Sequence, residues 1–284
     1  MIGVRSSARR SVLIVLGAAW LLLSVAGAAA PASAQSPSPL ALLRDAFDRL
    51  FNYPSVRSVS LRIHRGRRVT ERSFQAAYKQ VAGEGRTLVR FTEPPYLRGT
   101  RLLVLEKHGA ASDIWLYQPS WRRVRRVSTG QKGDRFFGSD LTFEDLEHHD
   151  WTRWRLRMLP PGSEDGRNCV RVEAVPKEAS QYARIVAWIT VDTGLLARVD
   201  FHRSPVGPPF KSLLVPAAEV EASGGVWIPR RMWFRVHGRD AATEVRIDRI
   251  ERDPAIADAL FSAARLEHGG RDLFTAVERL REAP

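Results

Sequence analysis

Residues 151–158 read Trp-Thr-Arg-Trp-Arg-Leu-Arg-Met, and this stretch shows most clearly how the chain is built. Alternate residues of an extended strand share one side, which separates Trp151, Arg153, Arg155 and Arg157 from Thr152, Trp154, Leu156 and Met158. One side is expected to face water and the other to be covered, as in an antiparallel sheet.

The same alternation recurs along most of the chain. Val59, Leu61 and Ile63 alternate with polar residues, and turn residues follow at Gly66, 83–85 and 94–95. Further strand candidates cover 86–92, 100–107, 113–118, 121–128, 151–159, 168–175, 183–191, 195–203, 211–221, 226–237 and 242–251. The gaps between them are too short for the crossover helices that parallel strands require. About a dozen antiparallel strands predict one large curved sheet or barrel.

Few helices are available to cover such a sheet. Apolar residues at helical spacing occur at 40–51 and 270–281, and a shorter candidate lies at 143–148. An apolar concave face that these helices do not fill must be covered by a partner or an apolar ligand. A partly filled cavity and a completely filled core both remain open on the pattern alone.

The composition is that of a folded globular protein. The 284 residues are 44% hydrophobic and 26% charged, which excludes disorder, collagen and coiled coil. A single cysteine, Cys169, excludes an internal disulfide and any multi-cysteine metal site. The formal charge of +13 favours anionic partners.

The N-terminus has the pattern of a secretory signal peptide. Arg5, Arg9 and Arg10 precede an apolar run over 11–30, and Ala32-Ser33-Ala34 provides a small-x-small cleavage pattern. We expect residues 1–34 to be removed near Ala34, although a run of this length could also remain as a membrane anchor. Residues 35–284 would then form a single periplasmic domain, for which anionic headgroups or acidic sugars are more suitable partners than nucleic acid.

Motifs of enzyme active sites are absent from the sequence. It contains no G-x-S-x-G, H-E-x-x-H, P-loop or dinucleotide-binding pattern. Asp140, Glu144 and Asp145 fit a helix start after Thr142 and are interpreted as structural. Adjacent histidines in 148–150 would point to opposite sides of a strand, which argues against a metal site. We therefore predict no catalytic residue, no metal and no cofactor.

The middle of the chain carries a family resemblance. The sequence segments that carry it are Phe-Thr-Glu-Pro-Pro-Tyr-Leu-Arg-Gly-Thr-Arg-Leu-Leu (91–103), Asp-Ile-Trp-Leu-Tyr-Gln-Pro (113–119), Arg-Arg-Val-Arg-Arg-Val (122–127) and Phe-Phe-Gly-Ser-Asp-Leu-Thr-Phe-Glu-Asp-Leu (136–146). In this order they resemble the outer-membrane lipoprotein-sorting protein family, which is related to the periplasmic lipoprotein carrier LolA. The resemblance implies an incomplete, strongly curved antiparallel β-barrel, a half-barrel, with a few helices covering the open apolar side.

The resemblance also implies that acyl chains lie in the concave interior. The candidate lipid-binding residues are Phe91, Leu103, Leu105, Trp115, Tyr117, Phe136, Phe137, Trp154 and Phe234, and Arg123 and Arg125 are candidates for contact with a lid or a lipid headgroup. Core packing would explain the same apolar residues, and a solvated strand face would explain the arginines.

These observations lead to three functional hypotheses. The first is a periplasmic carrier that binds the acyl chains of a lipoprotein or lipid and moves them towards the outer membrane. It would contact membranes transiently and have an inner-membrane partner of the RND superfamily or a sorting complex. The alternative is a lipid or lipoprotein sensor, or an accessory subunit of an envelope signalling or RND-type export system. An envelope hydrolase using Asp140, Glu144 or Asp145 is the third.

Overall fold

The computed structural model describes residues 37–147, 149–223, 226–268 and 272–276. The predicted signal peptide and His148 lie outside these residues, as does most of the helix predicted over 270–281. Within the described ranges, no helix is both long and apolar enough to cross a membrane.

Strands make up most of the described chain. One helix, α1 (Pro39–Phe51), precedes them and another, α2 (Ala263–Glu267), follows them. The strands are β1 (Ser55–Arg65), β2 (Arg68–Val81), β3 (Glu84–Glu93), β4 (Arg101–Lys107), β5 (Ala110–Gln118), β6 (Arg123–Arg126), β7 (Trp154–Glu164), β8 (Arg167–Pro176), β9 (Arg184–Thr190), β10 (Leu196–His202), β11 (Lys211–Leu214), β12 (Val220–Ser223), β13 (Val226–Pro229), β14 (Arg231–Val236) and β15 (Ala241–Arg252).

Thirteen of these strands form one curved antiparallel sheet. Their order is β6-β5-β4-β3-β2-β1-β15-β14-β11-β10-β9-β8-β7, and β12 and β13 pair separately. Strands β6 and β7 are the two edges and do not pair with each other, so the sheet does not close into a barrel. The predicted half-barrel is thus confirmed.

Helix α1 covers part of the concave face. The Ser38 hydroxyl accepts a hydrogen bond from the backbone N–H of Ala41, and Pro39 occupies the first turn, where its missing N–H is harmless. Leu43, Ala46 and Leu50 are completely or almost completely buried. The helix contacts β7, β8, β9, β10 and β13, so its apolar stripe is buried by one half of the sheet.

The other half is covered by the connection between β6 and β7. Because these strands are the opposite edges of the sheet, the chain between them must cross the open side. We call residues 127–147 the crossing segment. Its helical content is limited to the 3₁₀ turns Thr129–Gln131, Phe136–Gly138 and Glu144–Leu146, so the helix predicted over 143–148 is a single short turn.

The convex face carries a second apolar core, which the sequence analysis did not anticipate. Leu88 and Leu103 are buried there beneath the chain that follows β15. That chain contributes Ile256, Phe261, Leu266, Leu273 and Phe274. The described start of the predicted C-terminal helix, residues 273–276, therefore lies on the convex face and not on the open side. The segment lies there because β2–β5 bear apolar residues on both faces of the sheet, so the convex face also has to be covered.

Prolines explain most differences between predicted and observed strands. Strand β7 continues through Pro160 and Pro161 to Glu164, which an edge strand tolerates because one side needs no hydrogen-bond donors. Conversely, β11 ends before Pro216, and the predicted strand 226–237 is divided after Pro229. Trp151 belongs to a 3₁₀ turn and is buried, so the strand predicted to begin at residue 151 begins at Trp154.

A candidate ligand-binding cavity

An apolar cavity of about 180 Å³ lies on the concave side of the sheet. The sheet forms one wall through side chains of β1–β4, β10, β11, β14 and β15, and α1 and the crossing segment form the others. The apolar lining includes Phe47, Phe51, Val59, Leu61, Phe74, Ala76, Val89, Leu102, Val104, Phe136, Leu141, Leu146, Trp151, Phe201, Leu213, Met232, Phe234, Val245 and Ile247. An apolar cavity of about 150 Å³ can stay dry and bind a molecule such as benzene.

The crossing segment closes the cavity with aromatic side chains. Phe136 is fully buried, and its ring centroid lies 5.6 Å from that of Phe91 and 6.2 Å from that of Phe74. Phe137 follows with a φ of 47°, a left-handed conformation that is uncommon for a bulky residue. Its ring centroid lies 4.6 Å from that of Phe91. The turn at Phe136–Gly138 therefore places two consecutive rings against the same strand.

A buried ion pair ties the crossing segment to β11. The Lys211 Nζ atom lies 2.6 Å from Asp145 Oδ2, and both side chains are 2% exposed. Lys211 also donates to the Tyr182 hydroxyl over 2.7 Å, and that hydroxyl donates to Asp145 Oδ1 over 2.5 Å. Burial, followed by the charge of Asp145, raises the pKa of Tyr182 well above its ordinary value. The Lys211 Nζ atom is also 4.6 Å from the centroid of Phe201, a ring that lines the cavity.

Asp140 makes a second attachment at the end of the β1–β15 pair. The Arg65 guanidinium donates to both Asp140 oxygens over 2.9 Å, and Thr243 Oγ1 donates to Oδ2 over 2.8 Å. This fork geometry is the strongest form of an arginine–carboxylate contact.

Glu144 and Glu147 anchor the remaining part of the crossing segment. Glu144 accepts hydrogen bonds from the Ser180 hydroxyl and the Gln181 backbone N–H, and Glu147 lies 2.8 Å from Lys132 Nζ. Burial raises the pKa of both carboxyl groups, while these partners act in the opposite direction. All three acids that the sequence analysis interpreted as structural, Asp140, Glu144 and Asp145, are therefore held by partners in the fold.

Polar groups line the cavity near the C-terminal end of α1. Arg57 on β1 donates through Nε to Ser55 Oγ and through Nη2 to the Phe51 carbonyl, both over 2.9 Å. Burial lowers the pKa of Arg57, and the neighbouring tyrosines Tyr53 and Tyr78 act in the opposite direction. Arginine nevertheless keeps its proton in proteins. Tyr78 on β2 is 5% exposed and also lines the cavity.

The structure distributes the predicted lipid-binding residues over both faces of the sheet. Phe136 and Phe234 line the cavity. Phe91, Phe137 and Trp154 belong to the core that surrounds it. Leu103, Leu105, Trp115 and Tyr117 lie in the convex core and do not reach the cavity. The lipid-binding role of all nine residues stays a prediction. Only Phe136 and Phe234 lie where they could contact a ligand in the cavity directly.

Arg123 and Arg125 lie on the edge strand β6. They pair in register with Gln118 and Leu116, so they share the concave side of the sheet, but both are exposed. The Arg125 guanidinium stacks 4.5 Å from the centroid of the Trp121 ring. Their predicted contact with a lid or headgroup stays a prediction.

The candidate site residues predicted from the sequence do not include Arg57, Tyr78, Tyr182 or Lys211. For three of them, the alternation of residues along the strand indicates a buried position. Arg57 is in phase with Val59 and Leu61, Tyr78 with Phe74 and Ala76, and Lys211 with Leu213. A polar group in phase with a buried apolar stripe marks a buried polar site. Tyr182 precedes β9 and carries no such signal.

Histidine and acidic side chains near the cavity do not form a metal-binding cluster among the described residues. Within the described residues, no group of three or more His, Cys, Asp or Glu side chains could hold a metal ion. The His149 ring packs against Trp151 and Trp154, with ring centroids 5.1 and 5.3 Å apart. The wall of the cavity is mainly apolar.

Comparison with known families assigns the chain. A family model described only as an uncharacterized protein matches residues 83–268, which is more than half of the sequence. The chain belongs to this family. The match includes most of the sheet and the whole crossing segment. No curated protein matches the chain.

Solved structures confirm the resemblance at the level of the fold. A domain from Vibrio parahaemolyticus described as an outer membrane lipoprotein-sorting protein domain matches with a TM-score of 0.73 and 22% identity, over 80% of this chain and 97% of that one. A DUF1329 family protein from Desulfovibrio piger matches with a TM-score of 0.71 and 26% identity over 80% and 97%. A LolA superfamily protein from Nitrosomonas europaea gives 0.65 and 17% over 80% and 98%. This chain thus has the LolA-like fold.

Proposed function

We propose that this protein is a non-enzymatic carrier that binds acyl chains of a lipid or lipoprotein in the concave cavity and moves them towards the outer membrane. The observation that carries the proposal is the apolar cavity enclosed between the sheet, α1 and the crossing segment. The fold shared with a domain described as lipoprotein-sorting supports the same proposal.

The cavity provides affinity through burial. Each buried methylene group contributes about 0.8 kcal/mol, so a chain of ten methylenes could gain about 8 kcal/mol before the costs of ordering it. The volume of about 180 Å³ is below the range of roughly 300–1,000 Å³ typical of ligand pockets. A long acyl chain is therefore larger than this space, and we propose that the crossing segment moves away from the sheet to admit it.

Quenching of tryptophan fluorescence by a brominated acyl chain tests the proposal. Trp151 lines the cavity, whereas Trp115 lies in the convex core. We expect brominated stearic acid to quench the fluorescence of the wild-type protein. Trp151→Phe should lose a large part of this quenching, and the matched variant Trp115→Phe should keep it.

Two results would contradict the proposal. Absence of quenching at saturating brominated stearic acid would show that acyl chains do not enter the cavity. Loss of quenching in Trp115→Phe but not in Trp151→Phe would place the ligand on the convex face. Native mass spectrometry of protein purified without detergent from its own host, followed by lipid extraction, would then identify the cargo.

Export and partners complete the proposed role. We propose that residues 1–34 are a signal peptide, so that the mature periplasmic protein begins at Gln35. Release of a tightly held chain requires an acceptor, and we propose an inner-membrane RND-superfamily protein or a sorting complex as the partner. Mass measurement of the exported protein tests the first proposal, because retention of residues 1–34 would contradict it.

A further inference from the structure

The cavity contains an unsatisfied hydrogen-bond donor. The Tyr78 hydroxyl is buried and has no hydrogen-bond partner among the described residues. The exposed Gln80 side chain on the same strand approaches this hydroxyl closely enough to lower its pKa, but it makes no hydrogen bond of normal geometry with it. An unsatisfied buried hydroxyl carries a free-energy cost, and such groups are rare in native proteins. Its position in the cavity wall suggests that the missing partner is an atom of the ligand.

Arg57 provides further donor capacity at the same end of the cavity. Its Nε and Nη2 atoms donate to Ser55 and to the Phe51 carbonyl, and these bonds use two of the five N–H donors of a guanidinium group. Arg57 and Tyr78 lie on the neighbouring strands β1 and β2 and both line the cavity. The apolar cavity thus has one polar end, where Arg57 and Tyr78 lie with Asn52 and Thr87 in the lining.

Nearby acids restrict the charge of a suitable ligand. Burial first, and then the charge of Glu106, raise the pKa of Tyr78, and Asp48 adds to this effect, whereas the Gln80 side chain and the charge of Arg57 act in the opposite direction. Neither of these two acids lines the cavity, but Asp145 and Glu147 do, and their carboxylates disfavour a highly charged anionic ligand. The pair of donors therefore suits a carbonyl oxygen more directly than a highly charged group such as a phosphate.

We propose that Arg57 and Tyr78 hydrogen-bond the acyl carbonyl oxygen of the ligand. The ligand is then an acyl ester or a fatty acid and not a pure hydrocarbon, and its chain extends from these donors into the apolar part of the cavity. This inference rests on the proposed function, because it requires that an acyl chain occupies the cavity.

The test uses three probes with the same chain and different ends: dodecane, methyl dodecanoate and dodecanoic acid. Their binding is measured by displacement of the fluorophore N-phenyl-1-naphthylamine from the wild type and from Tyr78→Phe. Tyr53→Phe is the matched control, because it removes another buried hydroxyl without a partner, from a residue that does not line the cavity.

The wild type should bind the ester, the acid or both more tightly than dodecane. Tyr78→Phe should lose about 3- to 10-fold in affinity for the oxygenated probes, the effect of one hydrogen bond, and keep its affinity for dodecane. Tyr53→Phe should match the wild type with all probes. A loss confined to the ester identifies an esterified lipid, and a loss confined to the acid identifies a free fatty acid.

A stability measurement separates this role from a structural one. Because the hydroxyl has no partner in the ligand-free protein, Tyr78→Phe should have a thermal midpoint at least equal to that of the wild type. A clear decrease, or unchanged affinity of Tyr78→Phe for both oxygenated probes while dodecane still binds, would overturn this inference alone. Failure of the fluorophore and of all three probes to bind the wild type would overturn the proposed function as well.

Discussion

Replacement of Lys211 by methionine is predicted to destabilise the protein by about 3–5 kcal/mol. Lys211 and Asp145 are each 2% exposed, and Met has no charge to compensate Asp145. Removing one partner of a buried ion pair typically costs this amount, because the other charge stays buried without compensation. Asp145 would keep its hydrogen bonds from the Tyr182 hydroxyl and the Thr142 backbone N–H, which favours the lower end of the range.

The free energy of unfolding is measured by urea titration of the wild type, Lys211→Met, Asp145→Asn and the double variant. Because the two residues contact each other directly, the double variant should lose less stability than the sum of the single variants, with a coupling of about 1–3 kcal/mol. Lys177→Met is the matched control. Lys177 is exposed and bonds only a backbone carbonyl, that of Thr152, so a change within about 0.5 kcal/mol is expected.

Two results would refute this reasoning. A loss below about 1 kcal/mol in Lys211→Met would show that the pair does not hold the crossing segment on the sheet. Additive single-variant effects would show that Lys211 and Asp145 act independently. Either result would remove the main physical reason for treating the crossing segment as closed in the ligand-free protein.

Two further predictions concern the cavity wall and the half-buried Glu106. Ala76→Leu adds bulk to the cavity wall, so binding of N-phenyl-1-naphthylamine should weaken at least 10-fold with no loss of thermal stability; unchanged binding would place the ligand elsewhere. Glu106 has its pKa raised from 4.5 to about 7, chiefly by burial, so its contribution to stability is complete below pH 4.5 and is lost as pH rises through 7. Urea titrations should therefore show the wild type losing stability relative to Glu106→Gln between pH 5 and 8, and a constant difference would contradict this sign.

The strand period predicts the sheet but not which face of each strand is concave. Along β4, Leu102 and Val104 line the cavity while Leu103 and Leu105 lie in the convex core. A continuous apolar run contains no alternation, so its sequence does not distinguish the two sides. For this reason Leu103, Leu105, Trp115 and Tyr117 were candidates for the same site as Phe136 and Phe234, although the sheet separates them.

The buried polar groups are missed for a different reason. Asp145 and Lys211 are 66 positions apart, and neither belongs to a local motif that indicates an ion pair. Only the sheet order, which brings the β6–β7 connection across β11, makes them neighbours. Arg57 and Lys211 do interrupt apolar stripes in phase, and this is the one sequence signal that identifies buried charges before the fold is known.

The free-energy cost of detaching the crossing segment from the sheet sets a minimum chain length for the cargo. Opening the crossing segment must at least break the contact between Asp145 and Lys211, at a cost of about 3–5 kcal/mol if their charges remain unpaired. At about 0.8 kcal/mol for each buried methylene group, about four to six methylenes offset this cost. A molecule with a shorter chain therefore gains too little to displace the crossing segment, whereas the acyl chains of membrane lipids exceed this minimum length. The same attachment then favours re-closure after the chain has left, so a carrier with this geometry would return to an enclosed cavity without exposing its apolar wall to water.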